Sequence, residues 1–218
     1  MSSPLLPPRS LFRFSIPCRH GASIWTAKGT SLGPECALPN FAELEQPGAV
    51  PEVRVGWNAS GLALRFEIHG KRQDLWCRAK MPDESDGVQI WLDTRDVKTV
   101  HRAGRFCHRL FFLPGGGGRD QSQPVAGTLP ISRAKELHAP IHESQLKVLS
   151  QKRAGGYILH ICISADALTG FDPDEHPRLG FTYAVFDREL GEHTLAAGGE
   201  TAYREDPSLW ATLELMRE

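Results

Sequence analysis

Residues 85–114, SDGVQIWLDTRDVKTVHRAGRFCHRLFFLP, hold the side chains best suited to chemistry in this sequence. Gln89 offers an amide that donates and accepts, Trp91 an aromatic plate, and Arg109 a rigid fork of donors. Such a set can stack on a ligand and bond its polar groups. Arg102 and Arg105 lie within eight positions of Arg109, and this basic cluster could take an anion, an acidic sugar among them. Other chemistries fit less well. His101, Cys107 and His108 have metal-ligand types, but Cys107 and His108 are strand neighbours and face opposite sides. Cys107 as a nucleophile needs a nearby base, and only His101 offers itself. Asp172, Asp174 and Glu175 sit in a proline-rich turn and read as solvated charges, not as a glycosidase acid and base. The glycines at 115–118 are followed by Arg119-Asp120 and by no helical pattern, which excludes a phosphate-binding loop.

These side chains need a sheet to hold them. Val88, Ile90 and Leu92 alternate with Gln89, Trp91 and Asp93, so a strand there has an apolar core face and a second, open face. In the next run Phe106, Leu110 and Phe112 join the core face, and Cys107, Arg109 and Phe111 the open one. A strand pair linked by residues 94–104 would set Gln89, Trp91, Arg109 and Phe111 side by side. On that face Trp91 is either a platform for a ligand or an aromatic half-covered by a loop. Arg109 is either a grip for a ligand or a cross-strand partner of Asp93.

The rest of the chain reads as strands and turns. Residues 52–69 form a hairpin: Val53, Val55 and Trp57, then Leu62, Leu64, Phe66 and Ile68, flank the turn Asn58-Ala59-Ser60-Gly61. Further strands are expected over residues 11–16 at an edge, 146–151, 157–163, 178–187 and 209–216. With 16 prolines, 21 glycines and no long helical period, the expected fold class is all-β, a two-sheet antiparallel β-sandwich of about nine or ten strands. One domain over 11–218 is expected behind a disordered tail at 1–10. A net charge of −1 gives no basic surface for nucleic acid or membrane. Five scattered cysteines without a CxxC pair suit free thiols in a reducing compartment. Read from Met1 as written, no signal peptide precedes the domain and a cytoplasmic location is expected; a start further upstream would make it extracellular.

The order of the motifs VRVGWNASGLALRFEI, SDGVQIWLDTRD, GYILHICISADAL, RLGFTYAVFDRE and YREDPSLWATLEL resembles the family 9 carbohydrate-binding modules, in the DOMON-like β-sandwich group. The likeness covers residues 52–215. It implies a non-catalytic module that binds oligosaccharide or polysaccharide, commonly beside a glycan-degrading enzyme. Members clamp a sugar ring between two tryptophans and grip its hydroxyls with Glu, Arg and Asn. In this sequence Arg109 falls at the arginine, Gln89 at the glutamate and Phe111 at the asparagine, which it cannot replace. Tyr203 stands near the second tryptophan, and Met81-Pro82-Asp83-Glu84 where the first is found. The resemblance therefore implies stacking by Trp91 and Tyr203 with hydrogen bonds from Gln89 and Arg109, and replacing Trp91 and Arg109 should abolish binding without affecting unfolding. It also implies structural calcium, for which Asp86 and Asp93 are weak candidates. Two rivals follow from the same fold group: a haem-binding domain, with Met81 the only credible axial methionine, and a sandwich that meets another protein.

Overall fold

The computed structural model describes residues 12–41 and 51–217. The tail expected at 1–10 lies outside them, as does Leu11 at the start of the edge strand expected over 11–16. Among the described residues the secondary structure is strands with short 3-10 turns. The strands are β1 Ser15–His20, β2 Trp25–Thr26, β3 Gly29–Thr30, β4 Glu52–Asn58, β5 Gly61–His69, β6 Gly87–Asp93, β7 Cys107–Gly117, β8 Gln123–Thr128, β9 Leu146–Arg153, β10 Gly156–Ser164, β11 Arg178–Asp187, β12 Gly191–Thr194 and β13 Ala211–Met216.

The all-β class holds, and the arrangement differs from two separate antiparallel sheets. Eleven strands form one mixed sheet in the order β8-β7-β6-β11-β13-β1-β4-β5-β10-β9, with β12 beside β11 and a separate β2–β3 ribbon. β1 joins the two halves, running parallel to both β13 and β4. It is therefore an interior strand and not the expected edge. Pro17 is tolerated there because β4 pairs with β1 only at Arg19 and His20, beyond the proline. The sheet rolls until its first and last strands, β8 and β9, face each other, so the fold is nearly barrel-like.

Alternation builds the core. Val88, Ile90 and Leu92 of β6, Leu110 and Phe112 of β7, and Leu62, Leu64 and Phe66 of β5 are all at most 1% exposed and meet inside the roll. The hairpin between β4 and β5 forms as expected. Asn58 Oδ1 accepts from the Ser60 N–H at 2.9 Å, and Gly61 follows at φ +134°. A Cβ at Gly61 would lie 2.0 Å from the Ile163 carbonyl oxygen, so packing as well as backbone angle demands glycine.

Candidate functional site

β6 and β7 pair antiparallel with Gln89 opposite Phe111 and Trp91 opposite Arg109. This register sets Gln89, Trp91, Arg109 and Phe111 on one face, as the alternation requires. That face is not open. Trp91 is 0% exposed and belongs to a second small core with Ala103, Cys107, Ile131, Ala184, Ala197, Tyr203 and Trp210. The segment around Ile131 is tied down by Leu129 N–H donating to the Arg109 carbonyl at 2.9 Å and Lys135 N–H to the Ala103 carbonyl at 2.7 Å. Trp91 Nε1 donates to the Arg204 carbonyl at 3.1 Å, which satisfies its one polar atom. Tyr203 is also 0% exposed and meets Trp91 edge-on. The stacking platform expected of Trp91 and Tyr203 is thus replaced by a buried aromatic pair. A sequence periodicity cannot show this, because the covering segments come from far along the chain.

Above Trp91 lies a polar rim in which Gln89 is buried at 1% exposure, the Arg109 side chain is 12% exposed and Asp83 is open to solvent. Arg109 lies over the indole, its guanidinium carbon 5.3 Å from the ring centre. Its Nη2 and Nε donate to Gln89 Oε1 at 2.7 and 3.1 Å, Nη1 donates to the Pro130 carbonyl at 3.3 Å, and Nη2 pairs with Asp83. Gln89 Nε2 donates to the same Asp83 oxygen at 3.1 Å. Burial pulls the Arg109 pKa below its ordinary 12.5, against the opposing charge of Asp83, and leaves a cation at neutral pH. Arg109 therefore takes Asp83 and Gln89 as partners, and not Asp93. Asp83 sits in the 3-10 turn Pro82–Glu84, and its side chain is 53% exposed, so water or a hydroxyl can reach it.

The other expected residues do not join this group. Arg102 Nε donates to the Arg133 carbonyl at 2.8 Å, and Arg105 lies over the Phe106 ring with Arg95 on the same ring. The basic cluster is dispersed, because a turn and not a strand carries 94–106. Phe106 is only half-buried; His108 takes the inward place and is 0% exposed. Phe111 is 8% exposed and packed so tightly on Gly127 that a Cβ there would lie 2.6 Å from its ring. Met81 is 39% exposed on the rim loop.

The two carboxylates considered for calcium are committed elsewhere. Asp93 accepts from the Arg95 and Val97 N–H groups at 2.9 and 3.0 Å and holds the turn after β6. Asp86 accepts from the Trp76 and Arg188 N–H groups, and the Lys71 ammonium lies 3.0 Å from it and 2.9 Å from Asp187. A lysine thus supplies the cation between two buried carboxylates. Among the described residues no cluster of three or more His, Cys, Asp or Glu is placed to hold a metal ion.

Nor do the candidate nucleophiles assemble. Burial, then the nearby Asp93, pushes the Cys107 thiol up to about 12, far from a thiolate at neutral pH. His101 lies instead by Asp206 and Ser208, each 3.0 Å from its Nδ1. A serine–histidine–aspartate relay uses the two ring nitrogens separately, so this trio is a cap on the turn Pro207–Leu209.

Four residues the sequence reading missed also line this side. Asp83 lies outside any strand and has no periodic signal. Phe186 alternates with Ala184 and Thr182 on β11, and that alternation could have found it. Arg204 lies over the Phe186 ring at 4.8 Å and bonds Glu192 at 2.8 Å, which also accepts from Tyr203.

No protein-family model and no curated protein matches the sequence. Solved structures do. A family 9 carbohydrate-binding module from Caldicellulosiruptor kristjanssonii in complex with cellotriose superposes with a TM-score of 0.59 at 13% identity, covering 94% of this chain and 94% of that one. The same description with glucose bound gives a TM-score of 0.59 at 13% identity, covering 94% of this chain and 96% of the other. The chain has the fold of a family 9 carbohydrate-binding module.

Proposed function

We propose that this chain binds carbohydrate without cleaving it, and that the sugar meets the rim at Asp83 and Arg109, which the buried Gln89 holds in place. The observation that carries the reading is this triad: a guanidinium, an amide and a carboxylate already bonded to one another at the edge of an aromatic core. Sugar hydroxyls donate and accept at once, and a site that offers both in fixed positions can hold them. The fold shared with a module that binds cellotriose and glucose supports the ligand class. The raised Cys107 thiol and the shared nitrogen of His101 support a role without bond cleavage. In this reading a protein partner is a separate glycan-degrading enzyme or another protein.

The test is calorimetric titration of the purified chain with cellotriose, alongside an array of neutral and acidic glycans. Arg109→Ala should weaken binding about tenfold or more, the loss of a charge-assisted hydrogen bond. Retained affinity in that variant would remove Arg109 from the site, and a wild-type chain silent to every glycan would defeat the reading.

A further inference from the structure

The roll of the sheet leaves a seam between β8 and β9, its terminal strands. A cleft of about 600 Å³ opens there, in the range of roughly 300–1,000 Å³ usual for small-ligand pockets. Val125 of β8 and Val148 of β9 give it apolar walls; Glu143 and Lys147 give it a carboxylate and an ammonium. The β2–β3 ribbon covers one side and brings Trp25 to the lining. Trp25 is half-buried, unlike Trp57, Trp91 and Trp210, which are at most 1% exposed.

The ribbon that holds Trp25 is pinned. Thr30, paired with Trp25 across the ribbon, donates its N–H to His160 Nδ1 at 3.2 Å. Gly29 at φ +109° rests on the same imidazole, where a Cβ would lie 2.5 Å from the ring. Gln151 Nε2 reaches the Lys28 carbonyl at 3.4 Å. The ribbon that carries Trp25 is therefore held by the sheet, and a held backbone lowers the cost of ordering on binding.

From this cleft we infer a second carbohydrate-binding subsite, in which a sugar ring stacks on Trp25 and its hydroxyls meet Glu143 and Lys147. The carbohydrate class rests on the function proposed above; the site itself does not use Arg109. The C–H face of a pyranose suits an indole face, while its rim needs donors and acceptors together, and this lining has both. An extended peptide added to either strand edge fits less well. Pro124 removes an N–H from β8, and Lys147 and Lys152 charge β9, two devices that discourage strand addition.

The chain has five tryptophans, and their indole N–H signals can be followed by NMR in the intact ¹⁵N-labelled protein. Trp25→Phe identifies the Trp25 signal by its loss. On titration with cellotriose that signal should shift saturably in both the wild-type chain and Arg109→Ala. Trp25→Ala, with its remaining spectrum native, should weaken binding at this subsite about tenfold or more. A Trp25 signal that stays still while Arg109-dependent binding persists overturns this inference alone. A shift that disappears in Arg109→Ala overturns it too, because the two sites would then be one. Saturable movement of Trp25 with affinity unchanged by Arg109→Ala supports it and removes the rim site. A chain that responds nowhere to the sugar overturns both.

Discussion

Tyr203 stands edge-on to Trp91, ring centres 5.3 Å apart at 73°, and neither ring reaches solvent. Edge-to-face pairing lets the positive rim of one ring meet the negative face of the other. Trp91 is therefore structural, and Trp91→Ala should cost about 3–5 kcal/mol, as large core truncations do. Urea unfolding measures it; a loss below about 1 kcal/mol would show that the face is open in solution.

Lys71 and its two carboxylates give a second prediction. The Lys71 side chain is 4% exposed, and those of Asp86 and Asp187 are 0%. Removing the ammonium leaves two uncompensated buried charges, so Lys71→Met should destabilise by about 3–5 kcal/mol. Adding Asp187→Asn should recover part of that loss, a coupling that a double-mutant cycle reads. Burial pulls the Lys71 pKa down, but its bonds to Asp187 and Asp86 outweigh this and hold it above the ordinary 10.5. A raised folded-state pKa stabilises fully below the unfolded value and is lost as pH rises through the folded one. Wild-type stability should accordingly fall above about pH 10.5, and the double variant should lack this component of the fall.

His108 acts at the other end of the pH scale. Its Nε2 accepts from the Thr169 N–H at 3.0 Å, which places the proton of the neutral ring on Nδ1. Burial, then the stacked His138, lowers its pKa from 6.5 to about 3. A base with a depressed folded pKa loses stability as pH falls from the unfolded value to the folded one. The gap in stability between wild type and His108→Gln should therefore narrow by on the order of 4 kcal/mol from pH 6.5 to 3. Denaturation curves at stepped pH check this, and a constant gap would show that His108 titrates normally.

Gly29→Ala should disturb the ribbon without reaching the main core. The new Cβ would meet the His160 ring, and φ +109° is strained for alanine. A loss of about 1–3 kcal/mol is expected, with the Trp25 indole signal displaced and those of Trp57, Trp91 and Trp210 kept. An unmoved Trp25 signal would show that the ribbon is not anchored on His160.

How much of this could be read in the sequence depended on the range of the forces involved. Alternation is local: a strand sends successive side chains to opposite sides. Val88, Ile90 and Leu92 therefore declared one face and Gln89, Trp91 and Asp93 the other, and Asn58 to Gly61 declared a turn. The all-β class, the hairpin over residues 52–69 and the shared face of Gln89, Trp91, Arg109 and Phe111 follow from such local signals, and the likeness to a carbohydrate-binding fold rests on the order of the motifs. Whether a face is covered is not local. Ile131, Ala197 and Tyr203 are far from Trp91 in sequence, and only the folded chain brings them over it and turns a platform into a core. The same holds for Lys71 between Asp86 and Asp187, for Asp83 on Arg109, and for β1 as the parallel strand that joins both halves. Burial and charge pairing act through space, so side-chain types and spacing named the groups able to bind, and tertiary structure decided which of them reach solvent.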